Sequence, residues 1–259
     1  MKNNFKKKYM KVLITDTSSV FGHGLALEYL NTEAHVYGMS KNPNEQLKKF
    51  INYQHLIQDI ENVNELAENI SIFLGRGKIF DIVVLNADIM PVKQEIRNVT
   101  TDQIINAINV NVIANKVIID VLLNNFSEIY QVVAISSSVL ASSKRGWNAY
   151  AMSKSALNTL MRLYAREVSE THFSAIDPGM TSGENAENKS NPVNKDKHPV
   201  SEKLKGVHKK TNIPDPVYAA NYMIEAMGTI LQEESGIYKD VRDLFFSGEV
   251  SGEVSGQTF

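Results

Sequence analysis

The chain has no cysteine. Disulfides and thiolate chemistry are thereby excluded, and a cytoplasmic setting is expected. It also lacks a strong charge of either sign: 27 Lys and Arg against 29 Asp and Glu leave a net charge of -2. That balance gives no electrostatic case for nucleic acid as a partner. No apolar run approaches the ~18 residues of a membrane span, so no membrane partner is expected. The basic start MKNNFKKKYMKVLIT carries too short an apolar stretch for a signal peptide, and that stretch ends at Asp16. Residues 1–9 read as a solvated tail. Glycine is scarce where it matters most. The stretch LITDTSSVFGHG, Leu13 to Gly24, has the outline of a dinucleotide-binding strand, turn and helix, yet Asp16 and Val20 stand where glycines are expected.

What is present is ordinary globular material. The 259 residues are 43% hydrophobic and 22% charged, which suits one α/β domain. Lys11–Thr15 is a short apolar, β-branched run and predicts a buried strand. GHGLALEYLN then switches to helical spacing. AHVYGMS and QHLIQDI predict the second and third strands, and VNELAENISIFL a helix. FDIVVLNAD is the plainest buried strand. A long helix is expected over 100–125, opened by TTDQ as a cap. YQVVAISSS predicts the fifth strand, a helix follows over 148–168, and HFSAIDPG is a sixth strand stopped by Pro178-Gly179. DPVYAANYMIEAMGTIL and SGIYKDV complete the series with a helix and a seventh strand.

Strands without polar alternation, separated by helices, imply a parallel sheet covered on both faces. The expected fold is therefore a Rossmann-like doubly wound α/β domain of about seven strands over 10–246. Its ligand crevice should lie at the carboxyl ends of the strands. Two segments stand apart. The polar stretch 182–212 reads as a substrate lid over the crevice, with inert disorder as the alternative. Residues 247–259 hold a tandem SGEV, too few copies for a repeat architecture, and read as a tail.

NAYAMSKSA places Tyr150 and Lys154 four apart on one helix face. A phenol near pKa ~10 is a poor acid or base at neutral pH. A nearby cation favours the phenolate, so the tuned Tyr can exchange a proton with an alcohol or carbonyl. The second Tyr-x-x-x-Lys, Tyr37 to Lys41, crosses Gly38 at a strand end and is not a helical pair. Ser136, Ser137 and Ser138 end a strand, where a hydroxyl can donate to a substrate oxygen. Asn109 and Asn111 interrupt an otherwise apolar helix and can bend it or hold a water for proton relay. No metal-ligand set stands out.

NAD after one strand, NVNV on a helix, SSS after the next strand, YAMSK on the next helix and then DPG: in this order the pieces resemble the short-chain dehydrogenase/reductase family. The resemblance covers about Lys11 to Val241, with RGWNAYAMSKSALNTLMR similar to the sepiapterin-reductase-like branch. It implies an oxidoreductase acting on a small-molecule carbonyl or secondary alcohol. The catalytic set would be Asn111, Ser137 (or Ser138), Tyr150 and Lys154. Lys154 would bind the nicotinamide ribose and lower the Tyr150 pKa, and Asn111 would continue the proton relay. The resemblance also implies a homodimer or homotetramer, paired through the two long helices.

The same resemblance places the cofactor along Thr15, Thr17, Ser18, Ser19, Phe21 and Gly22, then Asp59 and Ile60 at the adenine, Asn86 and Ala87 after the fourth strand, and Pro178, Gly179 and Thr181 beside the nicotinamide. For Asp59 a helix N-cap is the alternative. No acid occurs over 34–44 to meet a ribose 2′-hydroxyl. Ser40 and Lys41 stand there instead and suit a 2′-phosphate, so NADP is expected over NAD.

The departures from the family pattern are specific. Its Thr-Gly-x-x-x-Gly-x-Gly reads here Thr15-Asp16-Thr17-Ser18-Ser19-Val20-Phe21-Gly22, and its Asn-Asn-Ala-Gly reads Leu85-Asn86-Ala87-Asp88. Asp tolerates the left-handed region and can keep the turn at residue 16. Val cannot do so cheaply, so either residue 20 is not left-handed or the turn has shifted. A carboxylate ~6–8 Å from a pyrophosphate costs roughly 2–3 kcal/mol at an effective dielectric constant of ~20. The amides of the following helix and a protonated His23 would offset it. These losses keep open a second reading, a nucleotide-sensing or scaffold protein with little turnover. A third is an epimerase or dehydratase using bound cofactor.

Overall fold

The computed structural model describes residues 9–126, 128–138, 145–179 and 216–245. The tails, the polar stretch 182–212 and Thr181 lie outside the described residues.

Seven strands form one sheet: β1 (Lys11–Thr15), β2 (His35–Ser40), β3 (Tyr53–Ile57), β4 (Ile79–Leu85), β5 (Glu128–Ile135), β6 (His172–Asp177) and β7 (Ile237–Asp240). Their order is β3-β2-β1-β4-β5-β6-β7, and every pair is parallel. The order reverses between β1 and β4, where Ile14 lies opposite Val84. In a sheet of this kind that reversal opens the ligand crevice.

The helices are α1 (Val20–Asn31), α2 (Val63–Leu74), α3 (Thr101–Ile108), α4 (Ala114–Asn125), α5 (Asn148–Glu167), α6 (Pro216–Ile230) and α7 (Val241–Phe245). The two-residue period of the strands divides the core between the two faces. Val12 and Ile14 point to one side, where Leu25, Ala26 and Tyr29 of α1 meet Met223 and Met227 of α6. Leu13, between them, points to the other, against Leu66 and Ile70 of α2, Ile118 and Leu122 of α4 and Leu157 of α5.

The long helix expected over 100–125 begins with a capping box, Thr100 with Gln103. It is not one regular α-helix. Asn109–Ile113 forms a π-helical turn between α3 and α4, and such turns mark functional positions in helices. Thr101–Asn125 as a whole is also long and apolar enough to cross a membrane, which corrects the expectation that no segment approaches that length. Half of its most apolar window is buried in the protein, the behaviour of a core helix.

β3 ends at Ile57, before Asp59, and α2 starts at Val63. Asp59 thus does not cap a helix; its Oδ1 accepts from the Glu61 amide at 3.1 Å.

Candidate active site

The turn after β1 keeps its shape by substitution. Asp16 adopts a φ of 53°, in the left-handed region, and its amide donates to the Met39 carbonyl at 2.6 Å. Its Oδ1 accepts from the Ser18 hydroxyl at 2.9 Å and from the Ser19 amide at 3.2 Å. The carboxylate therefore takes up donors of the turn itself. Ser19 is the N-cap of α1 and accepts from the Gly22 amide. Val20 opens the helix with its side chain 42% exposed and is not left-handed. The helix begins two residues earlier than the spacing of apolar residues implied, and that places Val20 inside it.

Gly22 remains glycine for a steric reason. A Cβ there would lie 2.8 Å from Asn86 Nδ2 and closer still to the Asp16 carbonyl oxygen. Asn86 laces the two strand ends together: its Nδ2 donates to the carbonyls of Thr15 at 3.1 Å and Asp16 at 3.2 Å. In return Thr15 Oγ1 accepts from the amides of Asn86 at 2.9 Å and Ala87 at 2.8 Å. The side chains of Thr17 and Phe21 turn inward, Thr17 Oγ1 meeting the Tyr53 hydroxyl at 2.8 Å. That contact exists because residue 38 is glycine; a Cβ there would collide with the same hydroxyl. Tyr53 was invisible as a site neighbour in the sequence, and only Gly38, an oddity inside a strand, hinted at a close approach.

At the far end of the crevice, Lys41 is 69% exposed and pairs with Asp59 at 2.7 Å. The Asp59 carboxyl is held below its usual range, chiefly by the hydrogen bond from Lys41. Ser40 corrects an expectation: it is buried, donates to the Asn42 carbonyl at 2.7 Å and lies 2.8 Å from His55 Nε2. Its hydroxyl is engaged by the loop, although the residue lines the crevice beside Lys41. His23 corrects another. It faces Asn44 at 2.8 Å, and burial pushes its pKa down, which opposes the protonated form that a phosphate partner would need. A cavity of about 150 Å³ runs from Lys41, Asp59 and Ile60 to Asp16, Ala87 and Asp88. Glu61 also lines it. Four carboxylates therefore border it against one cation, itself already paired.

The catalytic side is assembled from four elements. Asn111, fully buried on the π turn, uses its amide twice on one residue: Oδ1 accepts from the Ile89 amide at 2.8 Å, and Nδ2 donates to the Ile89 carbonyl at 2.9 Å. Nδ2 also lies 2.9 Å from Ser153 Oγ, which donates to the Tyr150 carbonyl. Asn115, one turn on, donates to the Asn111 carbonyl at 2.9 Å. Of the three serines after β5, Ser136 donates to Asn158 Oδ1 at 2.7 Å. Ser138 gives its amide to Asp177 and accepts from Arg242 at 3.1 Å. Ser137 is the one hydrogen-bonded to the Tyr150 phenol. Asp177 also accepts from the Gly179 amide at 2.8 Å, which fixes the start of the loop after β6, with Pro178 between them.

Tyr150 and Lys154 do lie together on α5, Lys154 Nζ 5.5 Å from the phenol ring centre. Lys154 is 1% exposed and donates to the Ile135 carbonyl at 2.8 Å. The unexpected member is Asp88. One of its oxygens, Oδ2, accepts from the Tyr150 hydroxyl at 2.9 Å and pairs with Lys154 Nζ at 2.8 Å. Burial, foremost, and then the charge of Asp88 and its hydrogen bond hold the phenol well above its ordinary pKa. The Asp177 charge adds to this and the Ser137 hydrogen bond opposes it. In this arrangement the phenol is raised, contrary to the lowering expected from Lys154, first by burial and then by the charge and hydrogen bond of Asp88.

A family model described as short chain dehydrogenase matches residues 10–194. No curated protein matches the chain in sequence. Among solved structures, a short chain dehydrogenase/reductase from Saccharomyces cerevisiae is 20% identical, with 90% of this chain and 96% of that one covered and a TM-score of 0.77. A 3-ketoacyl-(acyl-carrier-protein) reductase from Brucella melitensis, complexed with NADH, is 17% identical over 90% of this chain and 96% of its own, at 0.74. A short chain dehydrogenase from Burkholderia cenocepacia in complex with NADP is 18% identical over 89% and 95%, at 0.65. At these identities the likeness is one of fold.

Proposed function

The chain belongs to the short-chain dehydrogenase family, and on that premise we propose that it is an NADP(H)-dependent oxidoreductase interconverting a carbonyl and a secondary alcohol on a small molecule. The observation that carries this reading is the convergence of Ser137, Tyr150 and Lys154 at the carboxyl end of the sheet, braced by Asn111. These are side chains a hydride-transfer reaction needs and a folded core does not. A buried lysine is costly unless paired, and Lys154 sits beside a tyrosine and two strand ends, where a ligand crevice opens.

Two features of the crevice support a dinucleotide there. Lys41 stands after β2 for a 2′-phosphate, and the cavity it lines ends at Ala87, Asp88 and Ile89, where Asp88 contacts the Tyr150 and Lys154 pair that suits a ribose diol. Bound there, the nicotinamide would supply the hydride. Tyr150 gives its phenolic proton to the developing alkoxide, or takes one from the alcohol in the reverse direction. Ser137 donates to the same oxygen. Lys154 stabilises the phenolate left behind. The NADP preference rests on Lys41, with Ser40 beside it in the crevice but its hydroxyl given to Asn42, and on the absence of an acid over 34–44.

The carboxylates of Asp16 and Asp88 favour a second reading, a weak or non-turning nucleotide sensor with this fold. Titration of NADPH and NADH by fluorescence or calorimetry separates the two. Submillimolar NADPH binding with reduction of a carbonyl panel supports the oxidoreductase. Failure of both cofactors to bind at millimolar concentration overturns it. The exposed Ile105 on α3, Ile113 on the π turn, and Met152 and Leu163 on α5 support pairing into a homodimer or homotetramer; sedimentation velocity reads it directly.

A further inference from the structure

Residue 88 is held from both sides. Just before it, the amides of Asn86 and Ala87 are pinned by Thr15 Oγ1. Just after it, both backbone polar groups of Ile89 are taken by the Asn111 amide. Between these two anchors the backbone is fixed, so the carboxylate moves only by rotation of its own side chain, and it rests on Tyr150 and Lys154. A phenol has one proton to donate. While that proton is given to Asp88 Oδ2, it is not available to a substrate oxygen.

We propose that Asp88 is a positioning residue that holds the dyad closed, so that a hydroxyl- or carbonyl-bearing ligand engages Tyr150 and Lys154 only after displacing its carboxylate. The inference rests on the oxidoreductase reading for its purpose but not for its geometry. When the carboxylate lets go, the Tyr150 O–H turns to the substrate oxygen, and the ammonium of Lys154 loses its neutralising partner at the same moment. The dyad then becomes a better proton donor when a ligand occupies it, and stays quiet otherwise. The charged groups around the phenol are Asp88 after β4, Lys154 on α5 and Asp177 at the end of β6, with Arg242 of α7 beside Asp177. Among the described charged residues only Asp88 touches both members of the pair.

The test uses the full chain with carbon-13-labelled tyrosine, so that the Tyr150 phenol is followed by NMR and assigned by its loss in Tyr150→Phe. In Asp88→Ala the phenol is expected to ionise at least about one pH unit lower than in the parent protein. Asp88→Glu should return it most of the way, a rescue that a merely structural role would not give. NADPH binding should tighten about tenfold or more in Asp88→Ala, as a charged hydrogen-bond competitor is removed. Unchanged Tyr150 ionisation in a folded Asp88→Ala protein overturns the proposal. Should that variant not fold, the nearly isosteric Asp88→Asn takes its place with the same criteria. A lowered phenol titration with no nicotinamide dinucleotide bound by either protein upholds the closed dyad and overturns the NADP(H) reading instead.

Discussion

The two ends of the crevice have been treated differently by the sequence. On the catalytic side each expected side chain is present, and each occupies a defined place: Asn111 on the Ile89 backbone, Ser137 on the phenol, Lys154 on the Ile135 carbonyl. On the cofactor side, positions that need no side chain have acquired one. Asp16 answers the loss of glycine with its own left-handed φ and fills its turn with hydrogen bonds to Ser18 and Ser19. Asp88, three residues past the end of β4, is not left-handed; its carboxylate instead reaches across to Tyr150 and Lys154 on the other side. Chemistry that depends on a functional group tolerates no substitution. Binding that depends on bare backbone can drift, because another residue can keep the fold while changing the affinity.

The largest effect should come from the catalytic side. Tyr150→Phe removes the phenol assigned above as proton donor, and carbonyl reduction should fall by roughly 10²–10⁴-fold. NADPH affinity should change little, because the ring and its packing against Trp147 remain. An equal loss of binding and rate would erase the distinction between the two ends. On the cofactor side the comparable break is Gly22→Ala. The added methyl meets backbone at the Asp16 carbonyl, which cannot yield without moving the turn. Overpacking of this kind costs about 1–3 kcal/mol, read as a lower urea midpoint, with cofactor binding lost alongside.

Much of this was legible in the sequence, and the limits have physical causes. The seven strands and the parallel sheet follow from periodicity, which is a local signal, whereas Asn111, Ser137, Tyr150 and Lys154 were named as a set only through the family resemblance. The left-handed Asp16 was foreseeable from the tolerance of that residue type. Ser40 and His23 misled because a hydroxyl and an imidazole near a strand end look available until their partners are known, and Asn42, His55 and Asn44 are those partners. Asp88 was visible only as a missing glycine. That its carboxylate lands on Tyr150, 62 positions away in the chain, is a tertiary fact. The lid expected over 182–212 lies outside the described residues.

Asp16→Gly sharpens the comparison at intermediate size. Glycine keeps the left-handed turn without strain, and the variant removes a carboxylate from the cofactor side, so NADPH should bind roughly tenfold tighter if the charge is the obstacle. Val20→Gly should not help. Val20 is helical and half out in solvent, so the change costs about 0.5–1 kcal/mol of helix stability with no gain in binding. If Val20→Gly tightened binding and Asp16→Gly did not, flexibility of the turn and not its charge would set the affinity.

The smallest effect concerns His23. Burial lowers its pKa in the folded protein, while in the unfolded chain it titrates near ~6.5. Below that pH the unfolded state takes up a proton that the folded state resists. Stability from this group is therefore present above ~6.5 and is lost as pH falls through the depressed folded value. His55, also lowered by burial, contributes with the same sign. Urea midpoints measured from pH 7.5 to pH 5 should decline, and His23→Gln should flatten part of that slope. If His23 instead stood ready as a cation for phosphate, its pKa would be raised by bound anion, and NADPH would tighten as pH falls through 6.5. Binding that is flat across that window, together with the flattened stability slope, assigns His23 to the fold and leaves the phosphate end of the crevice to Lys41 and the amides of α1.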